Sequence, residues 1–549
     1  MTAETTNDAP NGLLDNPAPF MGGGSAFDGG MSGELAALRT EICTLYKDDA
    51  VPWVIGYSGG KDSTAILQLV WRALEKLPAA ERTKPVHVIS TDTLVENPVV
   101  AAWVSGSLKK IGDAAREQGL PIQSHRLTPP VEDTFWVNLI GRGYPAPRNK
   151  FRWCTNRLKI QPSNNFIRDV VRENGEAILV LGTRRAESQA RARNMAKHAE
   201  NAVRDRLSPN VTLPNCLIYT PIERWANDDV WAFLTREGNP WGQDNHALMG
   251  MYRGASEDGE CPLVVDKTTP SCGNSRFGCY VCTLVDQDRS MAAMIQNDAE
   301  KEWMEPLLAL RDELDFRGDE KRATEKKNRD YRRLSGNLTL YHPGDSDESQ
   351  LVRGPYTQEA RANWLRRVLE TQQIVREIGP PAVAETELLT LPELQEIRRL
   401  WVVEKHEIED LVPQIYEEAI GEAYPGPPID EDLVFDAEAL AMLREESQPG
   451  VGGDDPAVPA AGPLTFELAR NLLDVERRFR TKANRRGLYK ALEKTVEKCF
   501  YDGEDDALDR ARQRSGEDEQ EPPKKELVQI SLLQPINDAE QNAEAVDAD

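Results

Sequence analysis

A chain of 549 residues, 40% of them hydrophobic, is long enough for two or three folded domains, and it has no apolar run near the roughly 18 residues that a membrane-crossing helix needs. A formal net charge of −25 excludes a uniformly basic nucleic-acid-binding surface, so any contact with a polyanion has to use local clusters of Lys and Arg. Eight cysteines are too few for a disulfide scaffold of this size, and the first 38 residues lack the basic start of a secretory signal, so a cytoplasmic protein is expected.

Residues 1–32, rich in Gly, Asn and Pro, read as a flexible leader. From 33 to 245 the apolar runs Pro52–Tyr57, Val86–Thr91, Ile122–Leu127 and Ala177–Gly182 alternate with helical stretches such as Asp62–Leu77 and Val99–Gln118. This alternation predicts an α/β fold, an open parallel sheet with helices on both faces. Residues 246–300 hold a cysteine cluster, and 301–447 are helical and charged, as in Glu393–Glu418. A Pro- and Gly-rich linker at 448–463, a helical block at 464–500 and an acidic tail at 501–549, expected to be disordered, complete the chain.

The segment Gly56-Tyr57-Ser58-Gly59-Gly60-Lys61-Asp62-Ser63 lies between the first predicted strand and the first long helix. Its glycines let the backbone turn and present N–H groups to an anion, and the helix N-terminus adds partial positive charge. Ser58, Lys61 and Ser63 supply further donors. The spacing is not that of a Walker loop. Asp92, at the end of the second strand, is either a polar group beside a nucleotide or a turn cap.

Between Gly141 and Ile160 stand six basic residues and no acid, with Cys154 in their midst. Nearby cations stabilise a thiolate, so a depressed pKa and a nucleophilic or persulfide-carrying role are expected for Cys154; a buried structural cysteine is the alternative. Arg184, after the fourth strand, is a candidate for binding phosphate or transition-state charge, with a surface ion pair to Glu187 as its alternative. Cys261, Cys272, Cys279 and Cys282 have the spacing C-x10-C-x6-C-x2-C, which suits either tetrahedral zinc or an iron–sulfur cluster, whereas a disulfide is disfavoured by a reducing compartment. Cys43, Cys216 and Cys499 stand apart and read as packing residues. Lys321–Arg333 and Arg470–Lys498 are further basic stretches, either solvated faces or phosphate contacts.

The six residues Ser58-Gly59-Gly60-Lys61-Asp62-Ser63 closely resemble the PP-loop of the ATP pyrophosphatase superfamily. With Arg152-Trp153-Cys154-Thr155, Gly182–Ser188 and Thr269–Cys279, they are similar to the DndC-type DNA phosphorothioation sulfurtransferases of its phosphoadenylylsulfate-reductase-like branch. The resemblance covers residues 40–300 and implies an adenine nucleotide alpha-hydrolase-like fold. It implies ATP and Mg²⁺ at the loop, with Lys61 and the loop amides on the β,γ-pyrophosphate. It also implies a [4Fe–4S] cluster on Cys261, Cys272, Cys279 and Cys282 in preference to zinc, and replacement of a non-bridging oxygen of a DNA phosphate by sulfur. The partners implied are a cysteine desulfurase and other Dnd proteins that engage the DNA. The competing functions are a sulfonucleotide reductase, a tRNA sulfurtransferase and a non-catalytic iron–sulfur scaffold. A C-terminal redox cysteine pair of the reductase kind is missing, since Cys499 stands alone.

Overall fold

A computed structural model describes residues 25–149, 151–187, 206–256, 277–342, 348–405, 409–428, 463–480, 484–498 and 503–515, together with a few isolated positions between them. Cys261, Cys272, Ser188, Lys150, Cys499, most of the leader, the linker at 448–462 and the tail beyond 515 lie outside the described residues. The chain forms two compact units. The first comprises residues 1–91, 99–127 and 163–276, and the second 92–98, 128–162 and 277–549.

The first unit is built on a six-stranded sheet of order β3-β2-β1-β4-β6-β5. Its strands are β1 (Trp53–Gly56), β2 (Val86–Thr91), β3 (Ile122–Leu127), β4 (Ala177–Val180), β5 (Ser208–Pro209) and β6 (Cys216–Tyr219). All neighbours are parallel except β5, which runs antiparallel to β6 at the edge, where Pro209 need not donate to a ladder. β1 is central and its Trp53, Val54 and Ile55 are fully buried, as a strand covered on both faces requires. The helices α1 (Met31–Asp48), α2 (Lys61–Lys76), α3 (Pro98–Glu117) and α4 (Gln161–Asn174) alternate with these strands. The predicted open α/β sheet is therefore present, four of its strands within two residues of the expected bounds. β5, at two residues, is too short to show a period, and β6, four residues long as β1 and β4 are, lies outside the expected runs.

Register decides where the site forms. Ile55 of β1 pairs with Val88 of β2 and Val180 of β4, so the carboxyl ends of β1 and β4 finish side by side. The loop after β1 and the segment after β4 consequently leave the same edge of the sheet, where ligands of open α/β folds bind.

The second unit is mostly helical, with one small hairpin of β7 (Leu340–Tyr341) and β8 (Gln350–Leu351). Its long helix Gln358–Ile378 buries Trp364, Leu365, Val368 and Leu369. Arg361 of that helix forms a buried ion pair with Glu407 and lies 5.1 Å from the Trp401 ring, while Trp401 donates to the Ile140 carbonyl at 2.9 Å. The charged helical stretch Glu393–Glu418 is made of more than one helix. Leu391–Arg399 passes into a π-helical turn at Leu400–Glu404, and a new helix begins at Leu411 after Asp410, whose φ is 44°. Asp410 accepts from Arg398 at 2.8 Å, an interaction that a continuous helix would not permit at a spacing of twelve residues.

The block over 464–500 is likewise two helices, Pro463–Arg480 and Leu488–Lys498, with Gly487 at φ 95° before the second. The acidic tail is not wholly without structure. Glu504–Ser515 forms a helix that buries Ala507 and Ala511 in a cluster with Tyr501 and Leu351. Its small residues at a four-residue spacing give one apolar stripe, which tertiary packing completes. Among the described residues, no helix is long and apolar enough to cross a membrane.

Candidate nucleotide and thiolate sites

The phosphate loop has the geometry its glycines allow. Gly59 sits at φ +73°, and a Cβ there would meet Val104 Cγ2 at 2.6 Å, so both conformation and space demand glycine. The Gly59 carbonyl accepts from Trp103 Nε1 at 3.0 Å, which anchors the turn to α3. Ser63 Oγ donates to the Gly60 carbonyl at 3.0 Å and accepts from the Ser58 amide at 3.2 Å, closing the loop onto the first turn of α2. Gly60 offers no side chain to cap this helix, so the dipole and the amides beyond Lys61 remain available to an anion.

Lys61 Nζ lies 3.2 Å from Asp62 Oδ2 and 5.4 Å from the centre of the Tyr252 ring. The Lys61 amide donates weakly to the Tyr252 hydroxyl at 3.4 Å, and burial raises the Tyr252 pKa, keeping that hydroxyl neutral. Arg184 completes the group. Its guanidinium is 4% exposed and donates from Nε to Asp62 Oδ1 at 2.7 Å and from Nη1 to the Trp225 carbonyl at 3.3 Å. One carboxylate is thus held by two cations, leaving an excess of positive charge beside a helix N-terminus.

One expectation is corrected here. The Arg184 guanidinium turns to Asp62 and makes no surface ion pair with Glu187, which accepts instead from the Arg184 backbone amide at 3.0 Å. Through that contact Arg184 orients Asp62 at the loop. Gly182 supports the same contact, since a Cβ there would lie 3.0 Å from the Asp62 backbone. Trp103 and Tyr252 escape the sequence reading because each is an ordinary aromatic in an amphipathic helix, and only the fold brings them to the loop.

This arrangement yields a prediction. Arg184→Ala leaves a half-buried carboxylate drawn wholly onto Lys61, and pyrophosphate release from ATP is expected to fall about 10–100-fold, with Arg184→Lys recovering part of it. A rise in KM for ATP at unchanged kcat would instead mark Arg184 as a direct phosphate ligand.

Asp92 begins the other unit and behaves as a turn cap: its Oδ1 accepts from the Leu94 amide at 2.8 Å, and Leu94 adopts φ 63°. The strand-like segment after it carries the cysteine loop. The Tyr280 amide donates to the Val95 carbonyl at 3.0 Å, and Glu96 pairs with Cys279 in an antiparallel bridge. Thr93 Oγ1 lies 3.3 Å from Cys279 Sγ, and the Cys282 amide donates to the Cys279 carbonyl at 3.0 Å, so the C-x2-C pair is a tight turn.

Cys154 belongs to this group. It precedes the π-helical turn Thr155–Ile160, beside Trp153, which stacks on Phe135 with ring centres 5.3 Å apart. Burial pushes the Cys154 thiol up to about 11, and the neighbouring thiols of Cys279 and Cys282 act in the same direction. The expected depression is therefore reversed. The reason lies in where three of the six cations go: Arg157 pairs with Asp133, Arg148 with Glu325, and Arg152 turns to Asn149. Among the described residues Lys159 acts on the thiol from nearby, and its own pKa is raised chiefly by Cys279, with Glu96, Cys282 and Cys154 acting in the same direction.

Cys154, Cys279 and Cys282 lie within electrostatic reach of one another and of Lys159. Among the described residues no three His, Cys, Asp or Glu side chains stand close enough to hold a metal ion, and Cys261 and Cys272 lie outside those residues. Cys279 and Cys282 share one tight turn, with Cys154 as an unforeseen neighbour. Cys43 and Cys216 pack elsewhere, Cys216 in the core around Val54 and Ala177.

Comparison with known proteins follows this layout. Residues 52–284 match the phosphoadenosine phosphosulfate reductase domain. The match takes in the phosphate loop, Arg184, Cys154, Cys279 and Cys282. The protein MJ0066 of Methanocaldococcus jannaschii is 27% identical over 200 residues, which is 36% of this chain and 35% of that protein. The chain thus spans about a third of the length of that curated relative. Among solved structures, Candida glabrata FMN adenylyltransferase bound to FAD and inorganic pyrophosphate is similar at 11% identity and a TM-score of 0.24, over 48% of this chain and 74% of that one. The U34-tRNA thiolase NcsA of Methanococcus maripaludis, with its [4Fe-4S] cluster, is similar at 13% identity and a TM-score of 0.26, over 52% of this chain and 80% of that one. Neither structural likeness is close enough to bear on function.

Proposed function

We propose that this protein cleaves ATP to AMP and pyrophosphate and uses the adenylate to insert sulfur into the backbone of DNA. The observation that carries the proposal is the phosphate loop: a left-handed Gly59, a serine-closed turn and an uncapped helix N-terminus beside Lys61 and Arg184. The β- and γ-phosphates would lie against the amides of Gly59–Ser63, with Lys61 turning from Asp62 to the incoming anion, and Mg²⁺ would screen the remaining charge. A non-bridging phosphate oxygen of the DNA attacks the α-phosphorus and pyrophosphate leaves. The adenylated phosphate then has AMP as its leaving group: a Cys154 persulfide displaces it, and two electrons from a thiol reductant cleave the resulting S–S bond, leaving sulfur on phosphorus and freeing the Cys154 thiol.

Cys261, Cys272, Cys279 and Cys282 would hold a [4Fe–4S] cluster, with zinc on the same thiolates as the alternative. Such a group would keep its thiols ionised, and Lys159 would offset their charge. Cys154 acts as the sulfur carrier, and sulfur arrives from a cysteine desulfurase, with other Dnd proteins engaging the DNA in the cytoplasm.

The domain match itself favours a second reading, reduction of a sulfonucleotide. Mass spectrometry of nuclease-digested host DNA, with and without the gene, separates the two. Phosphorothioate dinucleotides that vanish with the gene are expected. Their persistence, or sulfite formed from an adenylylated sulfate, would sink the proposal, as would thiolated tRNA bases in place of modified DNA. ATP left uncleaved in every condition would reduce the protein to a scaffold.

A further inference from the structure

We propose that the second unit carries a docking pocket for the phosphodiester backbone of DNA, formed by the end of helix Asp319–Lys327, the loop after it, Arg353 and the start of helix Gln358–Ile378. The pocket stands on its own residues; only the choice of DNA over other polynucleotides rests on the proposed function.

The pocket has a volume of about 560 Å³, and Lys326, Lys327, Arg329, Arg332 and Arg353 line it against the two carboxylates of Asp330 and Glu504. In a chain of net charge −25 this is a pronounced local reversal. The acids are already engaged. Asp330 and Glu467 accept from Arg332 at 2.9 and 2.8 Å, and Glu504 pairs with Arg353, with Lys326 3.8 Å away. Lys327 is exposed at the rim and has no ion-pair partner among the described residues.

The floor is also short of negative charge. Arg329 donates to the carbonyls of Gly354 at 2.8 Å and Arg353 at 2.6 Å, and it shares its single carboxylate, Glu325, with Arg148. Burial pushes the Arg329 guanidinium down to about 10, and the charge of Arg353 adds to the effect. Arg353 Nε is buried with no hydrogen-bond acceptor. Thr357, which lines the pocket, caps the 21-residue helix Gln358–Ile378, whose dipole adds positive potential. An anion accepting from these groups would supply what the protein leaves missing.

The form of the anion follows from the layout. Cations continue beyond the pocket along the same helix and loop, at exposed Arg322 and Arg333. A free phosphate can engage two or three of them, whereas a duplex carries one charge per ~1.7 Å of axis and engages the series. Tyr331, in the wall beside Arg332, adds an aromatic contact of the kind found among nucleic-acid-binding cations.

The test is fluorescence anisotropy of a labelled DNA duplex with the full chain, titrated with salt. Wild type is expected to bind, and Lys326→Glu/Lys327→Glu is expected to weaken binding at least tenfold near ~0.1 M salt, flattening the log–log salt slope by about 2. An unchanged thermal midpoint in that variant shows that the fold survives, and Lys326→Gln/Lys327→Gln should fall between it and wild type. No binding by wild type at low salt, or an unaltered slope in the Glu variant, overturns the inference. Displacement of the duplex by inorganic phosphate at matched phosphate concentration assigns the pocket to free phosphate and also overturns it, as does tighter binding of RNA. Normal duplex binding in a host whose DNA contains no phosphorothioate would defeat the proposed function while leaving the pocket standing.

Discussion

Gly59→Val is expected to lower pyrophosphate release from ATP by about 100-fold or more while leaving the protein folded. The argument is one of position. A side chain at φ +73° costs about 1–2 kcal/mol, and a Cβ placed 2.6 Å from Val104 Cγ2 adds about 1–3 kcal/mol of crowding. The sum is within the ~5–15 kcal/mol that holds a domain together, so the loop moves and the domain remains. Movement is what the chemistry cannot tolerate, because a displacement of about 1 Å in a positioning group costs about 100-fold in rate. Lys61→Ala complements it: the backbone is undisturbed, one cation is lost at the site of developing charge, and a fall of about 100- to 1,000-fold is expected. Pyrophosphate assay and thermal unfolding, run together, read both variants. Wild-type turnover in Gly59→Val at an unchanged midpoint would show that ATP does not use this loop.

Cys279→Ser is expected to strip the protein of its metal, whereas Cys154→Ser is expected to keep the metal and lose sulfur transfer. Removing one of four thiolates is expected to weaken retention by more than the ~10–100-fold that loss of a merely supporting group costs. Iron, zinc and acid-labile sulfide per chain give the measurement, with Cys43→Ser as the control that keeps full content. Should Cys154→Ser lose its metal as fully as Cys279→Ser does, Cys154 is itself a ligand and the sulfur carrier lies elsewhere.

What could be read without coordinates was local in origin. A strand rich in Val and Ile, two glycines, a lysine and a helix start are contiguous, and their conformations follow from neighbours a few residues away, so Gly56–Ser63 announces an anion cradle by itself. The alternation of strand and helix likewise sets the sheet, apart from β6 and the edge strand β5, whose two residues carry no period.

The pairings that define the chemistry are of another kind. Asp62 meets Arg184 across 122 residues because β1 and β4 are neighbours in the sheet, and no pattern near either residue records that. Cys154 joins Cys279 and Cys282 across more than a hundred positions, and folding sends the cations that surround it in sequence to Asp133, Asn149 and Glu325 instead. Charge counted along a chain says how many cations exist near a thiol; only packing decides which of them face it, and how much water is left to support the ionised form. The chain alone therefore determined the phosphate loop and the sheet that presents it, while the tertiary structure decided the partners of Arg184 and the state of Cys154, because both depend on contacts that the topology, and nothing local, creates.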